Sequence, residues 1–122
     1  MKRVFGVMFF LLVCKQDLLA QKKTTFMQIT TVESVISGGG GRSRMIITKA
    51  DGTSDEKEMN NIFSLVGINF NNLKENETSI VQALKSFTDL GWQLVSVTPL
   101  TLSPNATNQG IFITRYLLKK EE

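Results

Sequence analysis

Few side chains in this 122-residue chain are suited to chemistry, and the missing types decide more than those present. There is no histidine. That removes the usual general base, the commonest metal ligand and every nucleophile arrangement built on an imidazole. The one cysteine, Cys14, lies in a segment expected to be removed, so the mature chain is expected to hold no disulfide, thiol nucleophile or thiolate ligand. Zinc sites of the ordinary kind need cysteine or histidine and are excluded with them. Carboxylates, a glycine-rich segment, one tryptophan and scattered arginines remain.

Paired carboxylates can share acid and base roles, as in glycoside hydrolysis. The densest group here is Asp51, Asp55, Glu56 and Glu58, with Lys49 and Lys57 interleaved. Charges of both signs on an expected hairpin read as a solvated edge. The group also lacks the oxygen-ligand spacing of a calcium loop. No catalytic, cofactor-binding or metal-binding residue is therefore assigned. Gly38–Arg44 (GGGGRSR) invites an anion-binding reading, with N–H groups of Gly39, Gly40 and Gly41 forming a nest and Arg42 and Arg44 adding charge. A phosphate loop needs a strand-to-helix setting and a Gly-Lys-Ser/Thr ending. This segment has neither, and a hairpin loop is the plainer reading. Trp92 reads as a core anchor rather than a ligand platform. Arg115, mid-strand among apolar residues, reads as an arginine lying along a sheet with its head in water.

The positioning elements begin with the N-terminus. Lys2 and Arg3 precede an apolar run from Val4 to Val13, then a polar stretch, then Leu18-Leu19-Ala20-Gln21. That order is the order of a secretory signal peptide, with cleavage expected after Ala20. The run is too short to span a bilayer, which needs about 20 residues. Lipid attachment at Cys14 is disfavoured because Val13, directly before it, is not small. The chain is thus expected to be exported to the periplasm, envelope or medium, with residues 1–20 as signal and 21–122 as one domain without a transmembrane segment. Removing residues 1–20 takes Lys2, Arg3, Lys15 and Asp17 from 14 basic and 11 acidic side chains, lowering the net charge from +3 to +1. The remaining basic residues are scattered, which argues against nucleic acid. With 42% apolar and 20% charged residues, the composition is that of a folded domain.

Thr24 to Ile36 is rich in β-branched residues and predicts a strand. Ser37 and four glycines break it. Arg44 to Ala50 predicts a second strand, Asp51-Gly52 a two-residue turn and Thr53 to Met59 a charged third strand. Ile62 to Phe70 is apolar without decisive periodicity and is expected to be buried, whether helical or extended. Between Asn76 and Leu90, Ile80, Leu84 and Phe87 recur at helical spacing, widened by Val81, Ala83 and Leu90. Asn76 is expected as N-cap, Glu77 in the first turn, and Gly91 as the left-handed residue that ends the helix. Trp92 to Thr98 predicts a strand stopped by Pro99, residues 99–109 a loop, and Ile111 to Leu118 the last strand. The order β-β-β-α-β-β predicts an α+β fold: an antiparallel sheet of about five strands with one amphipathic helix on one face.

Two segments carry a resemblance. Leu90-Gly91-Trp92-Gln93-Leu94-Val95-Ser96-Val97, with Tyr116-Leu117-Leu118-Lys119-Lys120, resembles a family of small bacterial domains of unknown function. In that family a helix leads into a GWELVSV-like strand and the last strand ends in a YLLKR-like sequence. The likeness covers about residues 75–120. It implies a helix packed on an antiparallel sheet and brings no activity with it.

The functional expectation is a non-enzymatic binding or assembly module without a cofactor. Its partner would be an unidentified protein or another copy, engaged through an edge strand. The final strand, with Phe112, Arg115 and Tyr116, or the adjoining 99–109 loop is the expected place. The alternative is a small-ligand or anion-binding module using Gly38–Arg44.

Overall fold

The computed structural model describes residues 21–35, 42–102 and 110–122. The expected signal segment, Gly38–Gly41 and most of the 99–109 loop lie outside them. Among the described residues the fold is α+β, with five antiparallel strands in one sheet, a small two-stranded sheet and one helix.

The first strand, β1 (Thr24–Ser34), pairs with β2 (Arg44–Lys49) on one side and with the final strand, β7 (Ile111–Glu121), on the other. Outside β2 lies β3 (Ser54–Glu58), and outside β7 lies β6 (Gln93–Leu102). The sheet order is therefore β3-β2-β1-β7-β6. Its long central pair joins the two ends of the described chain, and Lys23 and Glu122 close it with reciprocal N–H to C=O bonds of 3.2 and 3.0 Å.

The hairpin between β2 and β3 turns at Asp51-Gly52, with a loop one residue longer than expected. Gly52 N–H donates to Lys49 C=O at 3.0 Å and Lys49 N–H to Thr53 C=O at 2.9 Å, leaving Ala50, Asp51 and Gly52 as the loop. The third loop position must be left-handed, and Gly52 has φ +84°. Thr53 donates both its N–H and its hydroxyl to Asp51 Oδ1, at 2.9 and 2.7 Å. Those two bonds stabilise the ionised carboxylate and hold Asp51 below its ordinary pKa.

The helix, α1 (Phe70–Asp89), starts about two turns before its expected position. Asn69 is the N-cap, its side chain accepting from Asn72 N–H at 3.1 Å. The expected cap, Asn76, is instead buried inside the helix, and Glu77 lies beyond the first turn, which holds no acidic residue. The C-terminal end follows the expectation. Gly91 has φ +89°, its N–H bonds Thr88 C=O, and Trp92 N–H reaches back to Phe87 C=O, the two-bond pattern of a Schellman end.

One sheet face carries Met27, Ile29, Met45, Ile47, Tyr116 and Leu118, and Ile80, Ala83, Leu84, Phe87 and Trp92 pack against that core. Val81 and Leu90, expected to widen the helix stripe, are exposed. Trp92 takes its expected place against the core.

Two further expectations fail. Residues 62–70 are neither one buried strand nor a buried helix. They hold the hairpin β4 (Phe63–Ser64) and β5 (Gly67–Ile68), with Leu65 89% and Val66 97% exposed at its tip. Ser64 hydroxyl donates to Gly67 C=O at 3.1 Å, and Gly67 is left-handed at φ +114°. A tight turn forces its tip outward, so apolar composition did not secure burial. Pro99 does not stop β6 either, which continues to Leu102. Proline is excluded from central strands by its missing N–H, but an edge strand can place that position on its unpaired side.

Candidate interaction surface

A sheet in the order β3-β2-β1-β7-β6 has two edges, and their residues differ in kind. At one edge, β3 reads Ser-Asp-Glu-Lys-Glu and is exposed throughout. Lys49 Nζ meets Asp55 Oδ2 at 3.0 Å and Arg44 meets Glu56 Oε2 at 2.8 Å, so charge lines this edge and ties it to β2. Charged side chains discourage a further strand from adding there.

The other edge, β6, reads Gln-Leu-Val-Ser-Val-Thr-Pro-Leu-Thr-Leu, without a charge, and all of it is exposed. Leu94 and Val97 lie opposite Leu118 and Tyr116 and so point to the helix side. Leu100 and Leu102 lie opposite Ile113 and Ile111, on the other side. All four are exposed large hydrophobics on a strand that the core cluster does not include. Two local features interrupt this edge: a bulge at Val95 and the imino position of Pro99. Both restrict where another strand can pair.

The expected interaction strand is not an edge. β7 is paired along its length by β1 and along most of it by β6, so its backbone is not open to a partner. The adjacency that hides it comes from the long-range β1–β7 pairing, which local sequence does not show. Nor do its three named residues share one surface. Tyr116 packs on the core side, where burial, and secondarily the nearby Glu33 charge, push its phenol above the ordinary value of 10.0. Phe112 is partly exposed on the same side, and Arg115 is exposed on the opposite side, across from Thr30.

Of the candidate anion residues, Gly39, Gly40 and Gly41 lie outside the described residues. Arg42 is exposed, while Arg44 sits on β2 with its guanidinium on Glu56. The carboxylates Asp51, Asp55, Glu56 and Glu58 lie along the exposed β2–β3 hairpin, not in a cleft.

Sequence reasoning missed a buried amide network. Asn76 Oδ1 accepts Asn60 N–H at 2.8 Å, and its Nδ2 donates to Asn60 C=O at 2.8 Å and to Glu33 Oε1 at 3.2 Å. Ser43 hydroxyl accepts Ser34 N–H and donates to Asn61 Oδ1, both at 3.0 Å, and Asn72 Nδ2 donates to Asn61 C=O at 2.8 Å. The network pins the start of α1 and the base of the β4–β5 hairpin to the sheet. Among the described residues no buried side-chain polar atom lacks a partner, so this cluster aims no spare group at a ligand. The only available signal was the recurrence of asparagine at 60, 61, 69, 72 and 76.

Two surface depressions are open hollows rather than enclosed cavities. One, of about 450 Å³, lies along Lys74, Thr78, Val81 and Gln82 on the outer helix face. The other, of about 290 Å³, lies between Phe26, Gln28, Thr48 and Leu117 on the sheet. Among the described residues no acidic or sulfur group cluster is arranged to hold a metal ion, and no helix is long and apolar enough to cross a membrane. The edge β6 is a ten-residue strand, exposed throughout and without a charge. No family model, curated protein or solved structure matches the chain.

Proposed function

We propose that this chain is an exported, non-enzymatic binding or assembly module that receives an extended segment along β6. The segment belongs to an unidentified protein or to another copy. The observation that carries the reading is a ten-residue edge strand, exposed throughout and free of charge, opposite an edge lined with ion pairs. An open edge offers main-chain donors and acceptors for affinity, and pockets beside alternate side chains for selectivity.

Export rests on the basic start, the Val4–Val13 run and the Ala20-Gln21 junction. Membership in the small bacterial domain family rests on Leu90–Val97 and Tyr116–Lys120 and is part of the same proposal. In the rival anion-binding reading Arg44 would have to share its guanidinium with Glu56, while Arg42 is exposed.

The test compares wild type with a Val97→Lys, Leu100→Lys variant in two assays: sedimentation, and capture of partners from the cell-envelope fraction. Loss of association or capture in a variant that keeps its circular dichroism spectrum supports β6 as the docking edge. Association undiminished by both lysines contradicts it. Intact mass of the native protein tests export: a chain beginning at Gln21 is expected, and a full-length chain recovered from cytoplasm contradicts it.

A further inference from the structure

The occupant of β6 can be narrowed, given that β6 is the docking edge. We propose that it is β6 of a second copy, running antiparallel, with a two-fold axis passing beside Val97. Four features lead there. With no charge in β6, two copies bring no like charges together. At the far edge, the charges of β3 discourage further growth, so pairing closes at two copies instead of extending into a fibre.

The third feature is the backbone. Pro99 sits in the ladder opposite Thr114 without an N–H to give. It keeps that place where its backbone points away from β7, and by strand alternation Val97 and Thr101 point outward too. Each antiparallel register of β6 with itself then has a different cost. An axis at Pro99 sets two imino positions against each other. An axis at 98 or 100 puts Pro99 opposite a residue whose C=O is left without its donor. An axis at Val97 pairs Val97 with Val97 through both N–H groups and places Pro99 opposite the partner's Val95. Val95 is the bulge, where the strand is already irregular and no regular bond is lost. The two interruptions therefore select one register.

The fourth feature is side-chain cover. Val97 is 47% exposed on the helix side, and the axis brings it against its own counterpart. On the other face Thr98 meets the partner's Ser96, a polar pair suited to that side of the sheet.

Sedimentation equilibrium and oxidative cross-linking test this directly, in a Cys14→Ser background so that the added cysteine is the only thiol. The wild-type protein is expected to form a dimer. Val97→Lys is expected to weaken it by about tenfold or more while the monomer stays folded by circular dichroism. Val97→Cys is expected to cross-link to itself, because directly opposed residues bring their Cα atoms within about 5.5 Å; Thr101→Cys is expected not to. A wild-type monomer at millimolar concentration, or cross-linking through Thr101 and not Val97, overturns the proposal. A synthetic peptide of residues 92–103 separates the two levels of the argument. If the protein is monomeric yet the peptide protects β6 amides from exchange, the edge accepts strands and only the self-pairing fails. If the peptide does not bind either, the docking edge fails with it.

Discussion

The two edges of this sheet share a scaffold and solve the exposed-strand problem in opposite ways. β3 is short and charged, and its carboxylates meet Lys49 and Arg44 of the neighbouring strand. β6 is twice as long, uncharged, and carries leucines and valines on both faces. Its only safeguards are a bulge and a proline, which limit the register of an added strand without repelling it. The difference teaches that edge protection here is selective. One edge carries the charges that discourage an added strand, and the other carries none.

The comparison requires both edges to hang from one rigid centre, and the largest effect is expected there. Ile29 is fully buried between β2 and β7. Ile29→Ala should cost about 2–5 kcal/mol by leaving a cavity, read by urea denaturation. Leu84→Ala on α1 should fall in or just below that range, with Gln82→Ala on the outer face below about 0.5 kcal/mol. Equal effects at 84 and 82 would mean that the helix does not hold the sheet by the face described.

Next in size is the amide network. Asn76→Ala leaves the N–H and C=O of Asn60 without their partner, and should cost about 1–3 kcal/mol. A neutral outcome would show that water replaces the side chain at once. Smaller still are the ion pairs of the closed edge. They are exposed, so Asp55→Asn or Glu56→Gln should change stability by less than about 1 kcal/mol. Removing both charges should nonetheless raise association through β3, read by light scattering at high concentration. Unchanged scattering would mean that charge is not what closes that edge.

The smallest effect is a pH dependence. Tyr116 holds its proton more tightly folded than unfolded, so its contribution is complete below pH 10.0 and is lost as pH rises toward the folded value. Stability should therefore decline above that point, and less steeply in Tyr116→Phe. Parallel declines in the two proteins would assign the loss to other groups.

Much of this was legible from local pattern. The helix face at Ile80, Leu84 and Phe87, the glycine end at Gly91 and the turn at Asp51-Gly52 follow from spacing and backbone chemistry. What was hidden depends on partners distant in sequence. Asn76 looks like a cap because nothing local shows that the Asn60 backbone will arrive to satisfy it. Leu65 and Val66 look like core because composition does not report that a tight hairpin places them at its tip. β7 looks like an edge until β1, some ninety residues earlier, is known to pair with it. The most informative edge is half legible: Trp92 to Thr98 reads as a strand, but Pro99 reads as its end, because only the long-range pairing shows that this strand is an edge that tolerates proline.

The most direct measurement is residue-resolved amide hydrogen exchange of β3 and β6 in one sample, at low and at high protein concentration. If β6 is the receiving edge, outward-facing amides such as Val97 should gain protection as concentration rises or a partner is added, while Ser54–Glu58 stays unchanged. Protection that grows at β3 instead, or at neither edge under any condition, would contradict the account.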